Sequence, residues 1–507
     1  MGLPLLTLII FSPAVGIIFL LAWRRDDTKS LWQLALLFAA VPLVLSLMAW
    51  GLFTSGATGM QFEEQVAWIP ALGITYHLGI DGLSLPLLVL TTLLTFLCVI
   101  YSQGTIKERV KEYCVFFLLL EIGMLGVFCS LDFFLFYVFW EIGLVPMYFL
   151  IGIWGGPKKG YAAIKFFLYT LFGSLAMLLG ILALYFQSVP HTFDIPTLIA
   201  QRPFASDALR GGLVFWGLFL GFAIKVPLFP FHTWLPLAHT EAPTAGSVIL
   251  AGVLLKLGTY GFIRISIPML PDQSIRYAHI VAILALISII YGALCAMAQK
   301  DLKKLIAYSS VNHMGYVMLG VAASVGLLGS HEAVRASLES RTMALNGAVL
   351  QMVTHGIITG ALFFYVGVIY ERAHLRDLDK FGGLLRVVPV YAGLFSMALF
   401  GSLGLPGLAG FVSEFLVLVG AFATYPALTC LAAIGIIVTA GYMLWTIQRL
   451  FLGPLNERWA DLKDIAPFEL AAMVPLAVLM LLIGLYPQWL VHIIDVAMSA
   501  MLTTIIG

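Results

Sequence analysis

Long apolar stretches, separated by short polar or Gly/Pro-rich segments, run through almost the whole chain. Stretches of roughly 20 residues predict about fourteen membrane-spanning helices. The predicted spans are 3–23, 31–53, 82–101, 113–129, 131–152, 161–187, 212–235, 244–266, 275–297, 303–325, 345–369, 388–420, 430–451 and 468–488. No hydrophilic stretch is long enough for a separate soluble domain, so the pattern predicts an all-α polytopic membrane protein.

Composition supports the same class. Hydrophobic residues make up 61% of the 507 residues, charged residues only 10%, and mean hydropathy is +1.01. A soluble domain carries about 25% charged residues. The net charge of +1 excludes nucleic acid binding through a general basic field.

Lysine and arginine are distributed unevenly between alternate loops. Eighteen of the 27 fall on one side: Arg24, Arg25, Lys29, Lys107, Arg109, Lys111, Lys158, Lys159, Lys300, Lys303, Lys304, Arg372, Arg376, Lys380, Arg386, Arg449, Arg458 and Lys463. The opposite loops hold Arg202, Arg210, Arg276, Arg335 and Arg341. Under the positive-inside rule the richer side is cytoplasmic, which predicts an even number of helices with both termini on the periplasmic side.

Two predicted helices are too long and too broken to be simple spans. Lys225-Val-Pro-Leu-Phe-Pro230 interrupts helix 7, and Gly404-Leu-Pro-Gly-Leu-Ala-Gly410 interrupts helix 12. Paired interrupted helices favour two inverted five-helix repeats around ion sites, although a Pro kink without function is the simpler interpretation of either helix alone. The predicted division is a three-helix segment at 1–112, repeats at 113–266 and 267–451, and a C-terminal helix and tail at 452–507. Within that tail, Trp489–Gly507 is predicted to be a short amphipathic anchor.

Ionisable side chains lie deep inside several predicted helices. Each costs roughly 2.5–3.5 kcal/mol at the bilayer centre, and such residues are usually functional. The candidates are Glu141 in helix 5, Lys225 at the break in helix 7, Lys256 in helix 8, His313 and His355 in helices 10 and 11, and Glu414 after the break in helix 12. Glu121 in helix 4 is a weaker candidate, for which we favour a structural role.

Each candidate also has a structural interpretation. Glu141 and Lys225 could form a static ion pair that fixes helix packing, and Lys256 could extend its amine to the interface. Either histidine alone could be a hydrogen-bonded core residue. The number of groups and their order along successive helices instead favour proton conduction, because burial lowers a lysine pKa and raises a glutamate pKa toward neutrality. Histidine titrates near neutral pH and can relay between such groups.

Other chemistry has no visible motif. The five cysteines form no CxxC pair, which makes iron–sulfur and structural zinc sites improbable. They are Cys98, Cys114, Cys129, Cys295 and Cys430. The chain also contains neither a GxGxxG motif followed by an acidic residue nor a Walker loop, so nucleotide chemistry is not expected on it.

Several motifs resemble the antiporter-like subunits of respiratory complex I, the NADH–quinone oxidoreductase. They are Phe139-Trp-Glu-Ile-Gly-Leu-Val-Pro-Met-Tyr148, Ala223-Ile-Lys-Val-Pro-Leu-Phe-Pro-Phe-His-Thr-Trp-Leu-Pro236, His239-Thr-Glu-Ala-Pro243, Leu254-Leu-Lys-Leu-Gly258 and Lys303-Lys-Leu-Ile-Ala-Tyr-Ser-Ser-Val-Asn-His-Met-Gly315. Leu350-Gln-Met-Val-Thr-His355, Tyr370-Glu-Arg-Ala-His-Leu-Arg376 and Glu414 are most similar to the subunit M branch, the counterpart of mitochondrial NADH dehydrogenase subunit 4. The similarity covers nearly the whole chain.

The resemblance implies a fold of fourteen helices with discontinuous helices 7 and 12, and proton translocation driven by quinone reduction elsewhere. It implies that Glu141 and Lys225 form the ion pair of the first half-channel and that Lys256 connects the halves. His313 and His355 would be the central relay histidines, and Glu414 the terminal group. It also implies that NAD, FMN, iron–sulfur clusters and quinone are bound by partner subunits, with neighbouring antiporter-like subunits, lipid and protons as this chain's own partners.

Two other functions remain compatible with the residues. A subunit of a multi-subunit cation/proton antiporter shares the Lys225 and Lys256 motifs. A passive membrane scaffold would use the same ionisable groups only to hold helices together. In each case the expected location is the inner, cytoplasmic membrane.

Overall fold

The computed structural model describes residues 4–326 and 331–506, without the side chains of 331–337 and 506. The side chain of Arg335 therefore lies outside the described residues, as do Leu3 and Gly507 at the ends of two predicted segments. The predicted segments 1–112, 267–451 and 452–507 each include a short undescribed stretch.

Helices dominate the described chain. The first ten are α1 Leu5–Ala22, α2 Thr28–Leu52, α3 Ser84–Thr105, α4 Val110–Cys129, α5 Phe133–Ile142, α6 Leu144–Trp154, α7 Lys159–Gln187, α8 Ile195–Gln201, α9 Ala208–Lys225 and α10 Leu235–Glu241. They are followed by α11 Thr244–Met269, α12 Pro271–Met297, α13 Leu302–Val325, α14 His331–Ala373, α15 Pro389–Ser402, α16 Ala409–Thr424, α17 Pro426–Phe451, α18 Pro467–Leu485 and α19 Gln488–Ile506.

The predicted fold class is confirmed. Thirteen helical segments of the described chain are long and apolar enough to cross a membrane, with α5 and α6 counted as one segment. The broken pair α15–α16 falls short in length, and α13 carries more polar residues. The most deeply placed helices are α11 and α14, whose membrane windows are completely buried. They form the centre around which the other spans pack.

A β-hairpin lies between α2 and α3 and was not predicted. Strand β1 (Gln61–Ile69) pairs antiparallel with β2 (Ile74–Ile80), with Val66 opposite Tyr76. Gly73 joins the strands at a φ of +64°, in the left-handed region that favours glycine. The side chain of Glu64 accepts from the backbone N–H of Leu6 at 2.7 Å, so the hairpin satisfies donors at the start of α1.

Both predicted helix breaks are confirmed. Helix α9 ends at Lys225. The carbonyl oxygen of Ile224 in its last turn accepts a hydrogen bond from Trp234 Nε1 at 2.9 Å. The break between α15 and α16 contains Gly404 and Gly407 at φ +80° and +92°. A Cβ at Gly410 would lie 2.1 Å from the carbonyl oxygen of Gly401, so glycine allows the two half-helices to approach closely.

Two further irregularities occur beside predicted site residues. The span that carries Glu141 is divided between α5 and α6 at Gly143. Helix α11 contains two π-helical turns, Leu250–Leu254 and Phe262–Ser266, with Lys256 between them. Such turns are rare and are frequent at functional sites.

Helix α19 contacts α2, α14 and the segment before α3. Its Trp489 packs on Trp50 near the end of α2, with ring centroids 5.6 Å apart. A Cβ at Gly82, just before α3, would meet the backbone of Ile493, and Asp495 accepts from Asn346 Nδ2 at 2.6 Å. By length and hydropathy α19 is also long and apolar enough to cross a membrane, so the anchor stays a prediction.

Candidate functional site

The six candidate side chains lie on helices that surround the centre of the bundle. Lys256 is on α11, His355 on α14, His313 on α13 and Glu414 on α16, and all four are buried. Lys225 is buried at the last residue of α9, while Glu141 in the last turn of α5 is half-buried. None of these six residues is more than partly accessible from outside.

Lys256 and His355 are in direct contact. The Nζ atom of Lys256 lies 2.7 Å from Nδ1 of His355 and also donates to the carbonyl oxygen of Ala251 in the first π-helical turn. When the Lys256 ammonium donates to Nδ1 of His355, the neutral imidazole carries its proton on Nε2. That Nε2 atom is buried and has no hydrogen-bond partner among the described residues.

His313 and Glu414 form a second contact pair. Nδ1 of His313 lies 2.8 Å from Oε1 of Glu414, and its Nε2 lies 3.0 Å from the hydroxyl of Ser402. Gln351 Nε2 donates to the same Glu414 oxygen at 3.2 Å. Ser402 is the last residue of α15, and Glu414 follows in α16, so both sides of this helix break contribute to the pair.

The two pairs face each other across a small cavity. The ring centroids of His313 and His355 are 5.7 Å apart. The cavity is lined by both histidines, Glu414 and Ser402, and has room for about one water molecule. A water at this position would connect the unpartnered Nε2 of His355 to the His313–Glu414 pair.

We call the six candidate side chains the row. Its first half, Glu141 and Lys225, is arranged differently from the second. Among the described residues, Glu141 and Lys225 are in electrostatic range but form no direct salt bridge, so their ion pair stays a prediction. Lys225 Nζ instead lies 4.9 Å from the ring centroid of Trp140, and Trp140 Nε1 donates to Ser174 Oγ at 3.0 Å. Among the described residues, the Oε1 atom of Glu141 has no hydrogen-bond partner. Lys225 therefore has an aromatic ring, and no carboxylate of a described residue, in direct contact.

Two further polar side chains near the row, His239 and Lys303, were not among the predicted site residues. His239 in α10 is fully buried and stacks on Phe363 with ring centroids 4.6 Å apart, and neither ring nitrogen has a hydrogen-bond partner within the part of the chain that the structure describes. It lies within electrostatic range of both Lys256 and Lys303. Lys303 Nζ donates to the carbonyl oxygen of Ala242 at 2.6 Å. The position of His239 directly after a helix break was a signal that could have identified it.

Glu121 is completely buried in α4, and no described residue forms a hydrogen bond with either of its carboxyl oxygens. Its structural role remains a prediction. Within residues 4–326 and 331–506, the structure contains no group of three or more His, Cys, Asp or Glu side chains arranged to hold a metal ion.

The arrangement can pass protons between neighbours without large movements. Lys256, His355, His313 and Glu414 can each hold and release a proton, and hydrogen-bond contacts or a one-water gap separate successive members. In a low-dielectric interior such contacts are stronger than in water, and unpaired polar atoms are costly. The site is therefore a buried row of titratable groups rather than an open ligand pocket.

Comparisons with known proteins identify the family of the chain. The family model for "NADH:quinone oxidoreductase/Mrp antiporter, TM" matches residues 130–439, and the model for "NADH-ubiquinone oxidoreductase chain 4, amino terminus" matches residues 8–130. The chain belongs to this family. The resemblance inferred from the motifs is confirmed.

Individual relatives match over nearly the full length. Subunit M of the NADH-quinone oxidoreductase from Rickettsia conorii is 40% identical over 506 residues, covering 99% of each chain. A chain of respiratory complex I from Thermus thermophilus is 31% identical with a TM-score of 0.85, over 98% of this chain and 99% of that one. A chain of the Mrp complex from Dietzia sp. has a TM-score of 0.83 at 23% identity, over 99% of this chain and 100% of that one, which shows a shared fold alone.

Proposed function

We propose that this chain is a proton-translocating membrane-arm subunit of an NADH–quinone oxidoreductase. It would couple quinone reduction elsewhere in the complex to proton movement across the membrane. The observation that carries the proposal is the contact of Lys256 with His355 and of His313 with Glu414, on opposite sides of one small cavity. Family membership supplies the biological context for this row.

Each residue has a distinct role in the proposal. Glu141 and Lys225 form the charge pair of the first half-channel, and a change in their separation alters proton affinity at Lys225. Lys256 passes the proton to His355. His313 then relays it to Glu414, which exchanges it with the second half-channel beside the break between α15 and α16.

The rest of the complex supplies the driving reaction. NAD, FMN, iron–sulfur clusters and quinone would be held by partner subunits, and the neighbouring membrane-arm subunits would contact this chain within the lipid. The segments 113–266 and 267–451 are proposed as the two inverted repeats. The lysine- and arginine-rich loops would face the cytoplasm across the inner membrane, with both termini on the periplasmic side.

Replacement of Lys225 or Glu141 by Ala separates a relay from a passive scaffold. The relay predicts that the assembled complex still oxidises NADH but loses most of its proton pumping, measured as fluorescence quenching of a pH-sensitive dye in proteoliposomes. Native gel electrophoresis controls for assembly. Full pumping by both variants would exclude the relay and leave the scaffold.

A subunit of a multi-subunit cation/proton antiporter is the second candidate, favoured by the shared fold with the Mrp complex chain. Affinity purification of the chain from its native membrane distinguishes the two. Co-purification with flavin and iron–sulfur proteins supports the oxidoreductase. Co-purification with other membrane subunits and no flavin would support the antiporter.

A further inference from the structure

A buried polar cluster lies on α11 beyond Lys256 and has no role in the relay described above. Arg264 forms a salt bridge with Asp81, which precedes α3, and its Nε donates to the hydroxyl of Tyr260 at 3.3 Å. Tyr260 in turn lies 3.2 Å from Ser84 Oγ and donates to the carbonyl oxygen of Phe128 at 3.1 Å. Tyr260 and Ser84 are completely buried, and Asp81 and Arg264 nearly so.

This cluster lies on the same face of α11 as Lys256. Residues 256, 260 and 264 follow one another at four-residue spacing, which aligns side chains along a helix. At 1.5 Å rise per residue, Arg264 lies about 12 Å from Lys256 toward the end of α11. Tyr260 lies between them along the helix. The cluster thus extends the polar column from Lys256 toward the membrane side at which α3 begins.

Asp81 is held in a form that cannot readily accept a proton. Its Oδ1 atom accepts from the backbone N–H of Leu83 at 3.0 Å and of Ser84 at 3.1 Å, in addition to Arg264. Burial by itself would raise the pKa of Asp81, but the charge and hydrogen bond of Arg264, with the two backbone donors, keep it below the usual 3.8. Meanwhile the amine of Lys256 points toward His355 and Ala251.

We propose that Arg264 is a seal against proton leak. Its ion pair with Asp81 closes a branch along which protons could pass from Lys256 through Tyr260 to the Arg264 end of α11. His355 then remains the proton acceptor of Lys256. Without the guanidinium, the Asp81 carboxylate becomes an available base. A Lys256 ammonium that turns from His355 to Tyr260 then gives a proton to the tyrosine oxygen, while the tyrosine hydroxyl turns from the Phe128 carbonyl and gives its own proton to Asp81. The inference rests on the proposed role of Lys256 as a proton carrier.

The test is passive proton leak in proteoliposomes that contain the whole complex, without NADH or quinone. Arg264→Gln keeps a hydrogen-bonding side chain of similar length but removes the charge. A pH jump should decay several-fold faster with this variant than with the wild type, and NADH oxidation should persist with fewer protons pumped. Wild-type leak and full pumping by R264Q would overturn the proposal.

A double variant distinguishes a seal from a simple structural clamp. Asp81→Asn combined with Arg264→Gln removes both the cation and the base, so the seal predicts that leak returns close to the wild-type rate. A clamp predicts that the double variant leaks as much as R264Q or more, which would overturn the proposal. If R264Q fails to assemble, the proton leak of D81N/R264Q is compared with that of Arg264→Lys. The lysine keeps the positive charge, so this variant is expected to leak no faster than the wild type.

Adding Lys256→Ala separates this inference from the proposed function. Leak that disappears in K256A/R264Q supports a branch that starts at Lys256. Leak that persists would overturn the assignment of that branch, whereas the pumping measurements with Lys225 and Glu141 variants judge the relay independently.

Discussion

The two halves of the row hold their charges in opposite ways. In the second half, Lys256 contacts His355 and His313 contacts Glu414 at 2.7 and 2.8 Å. In the first half, Lys225 faces the ring of Trp140, and Glu141 leaves one carboxyl oxygen unpaired. A hydrogen-bonded pair can exchange a proton directly, whereas a separated pair can change its interaction by moving. We therefore propose proton transfer in the second half and switching in the first.

The largest effect is expected from Lys256→Met, which breaks the second half. Methionine fills similar space but removes the amine that contacts His355 and the Ala251 carbonyl. Proton pumping should fall to near background in reconstituted complex, as measured by dye quenching. Lys165→Met in α7 is the matched control, because it removes a lysine of a membrane helix outside the row, and it should pump normally. Equal pumping by the two variants would contradict the assignment.

Glu414→Gln should give the next largest loss. Glutamine preserves the hydrogen bond geometry with His313 and Gln351 but cannot release a proton at neutral pH. Pumping should be impaired while assembly stays intact. Glu414→Lys should retain part of the activity, because a lysine amine can also bind and release a proton. A Glu414→Gln complex with unchanged proton yield would rule out a protonatable role.

Trp140→Phe should produce a smaller change and sharpen the comparison. Phenylalanine keeps a ring near Lys225 but weakens the cation–π contact, which is worth about 0.5–2 kcal/mol, and removes the indole hydrogen bond to Ser174. Lys225 should then approach Glu141 more often. We expect a shifted pH profile of pumping with unchanged assembly. An unaltered profile would show that the ring does not control the pair.

These outcomes also show which features the sequence could reveal. Pro227 and the glycines at 404 and 407 predicted both helix breaks, because proline and glycine act locally on the backbone. Pro146 carries the same signal for the break at Gly143, because proline has no backbone N–H to donate to the carbonyl oxygen of Ile142. The continuous apolar pattern concealed this signal. The π-helical turns on either side of Lys256 have no comparable signal in the sequence. The contact of Trp140 with Lys225 arises from packing between α5 and α9, which one-dimensional spacing cannot show.

The smallest effect concerns the hairpin outside the spans. Asp194 lies 2.7 Å from His77 Nδ1 of β2 and also accepts from Thr197. Burial raises the pKa of Asp194, but these hydrogen bonds outweigh it and hold the pKa below 3.8. The contact therefore stabilises the folded protein fully above pH 3.8. This stabilisation is lost as the pH falls through the lower pKa that Asp194 has in the folded protein. Hydrogen exchange in the hairpin should rise only in strong acid, and exchange that rises already near neutral pH would contradict this contact.

The central claim is that buried side chains of this chain change protonation during turnover. Infrared difference spectroscopy of the complex under NADH-driven turnover tests it directly, because a carboxyl C=O band reports a protonated glutamate. The account predicts a carboxyl band that appears during turnover in the wild type and is missing in Glu414→Gln. An identical spectrum from the two complexes, with the wild type pumping normally, would contradict it.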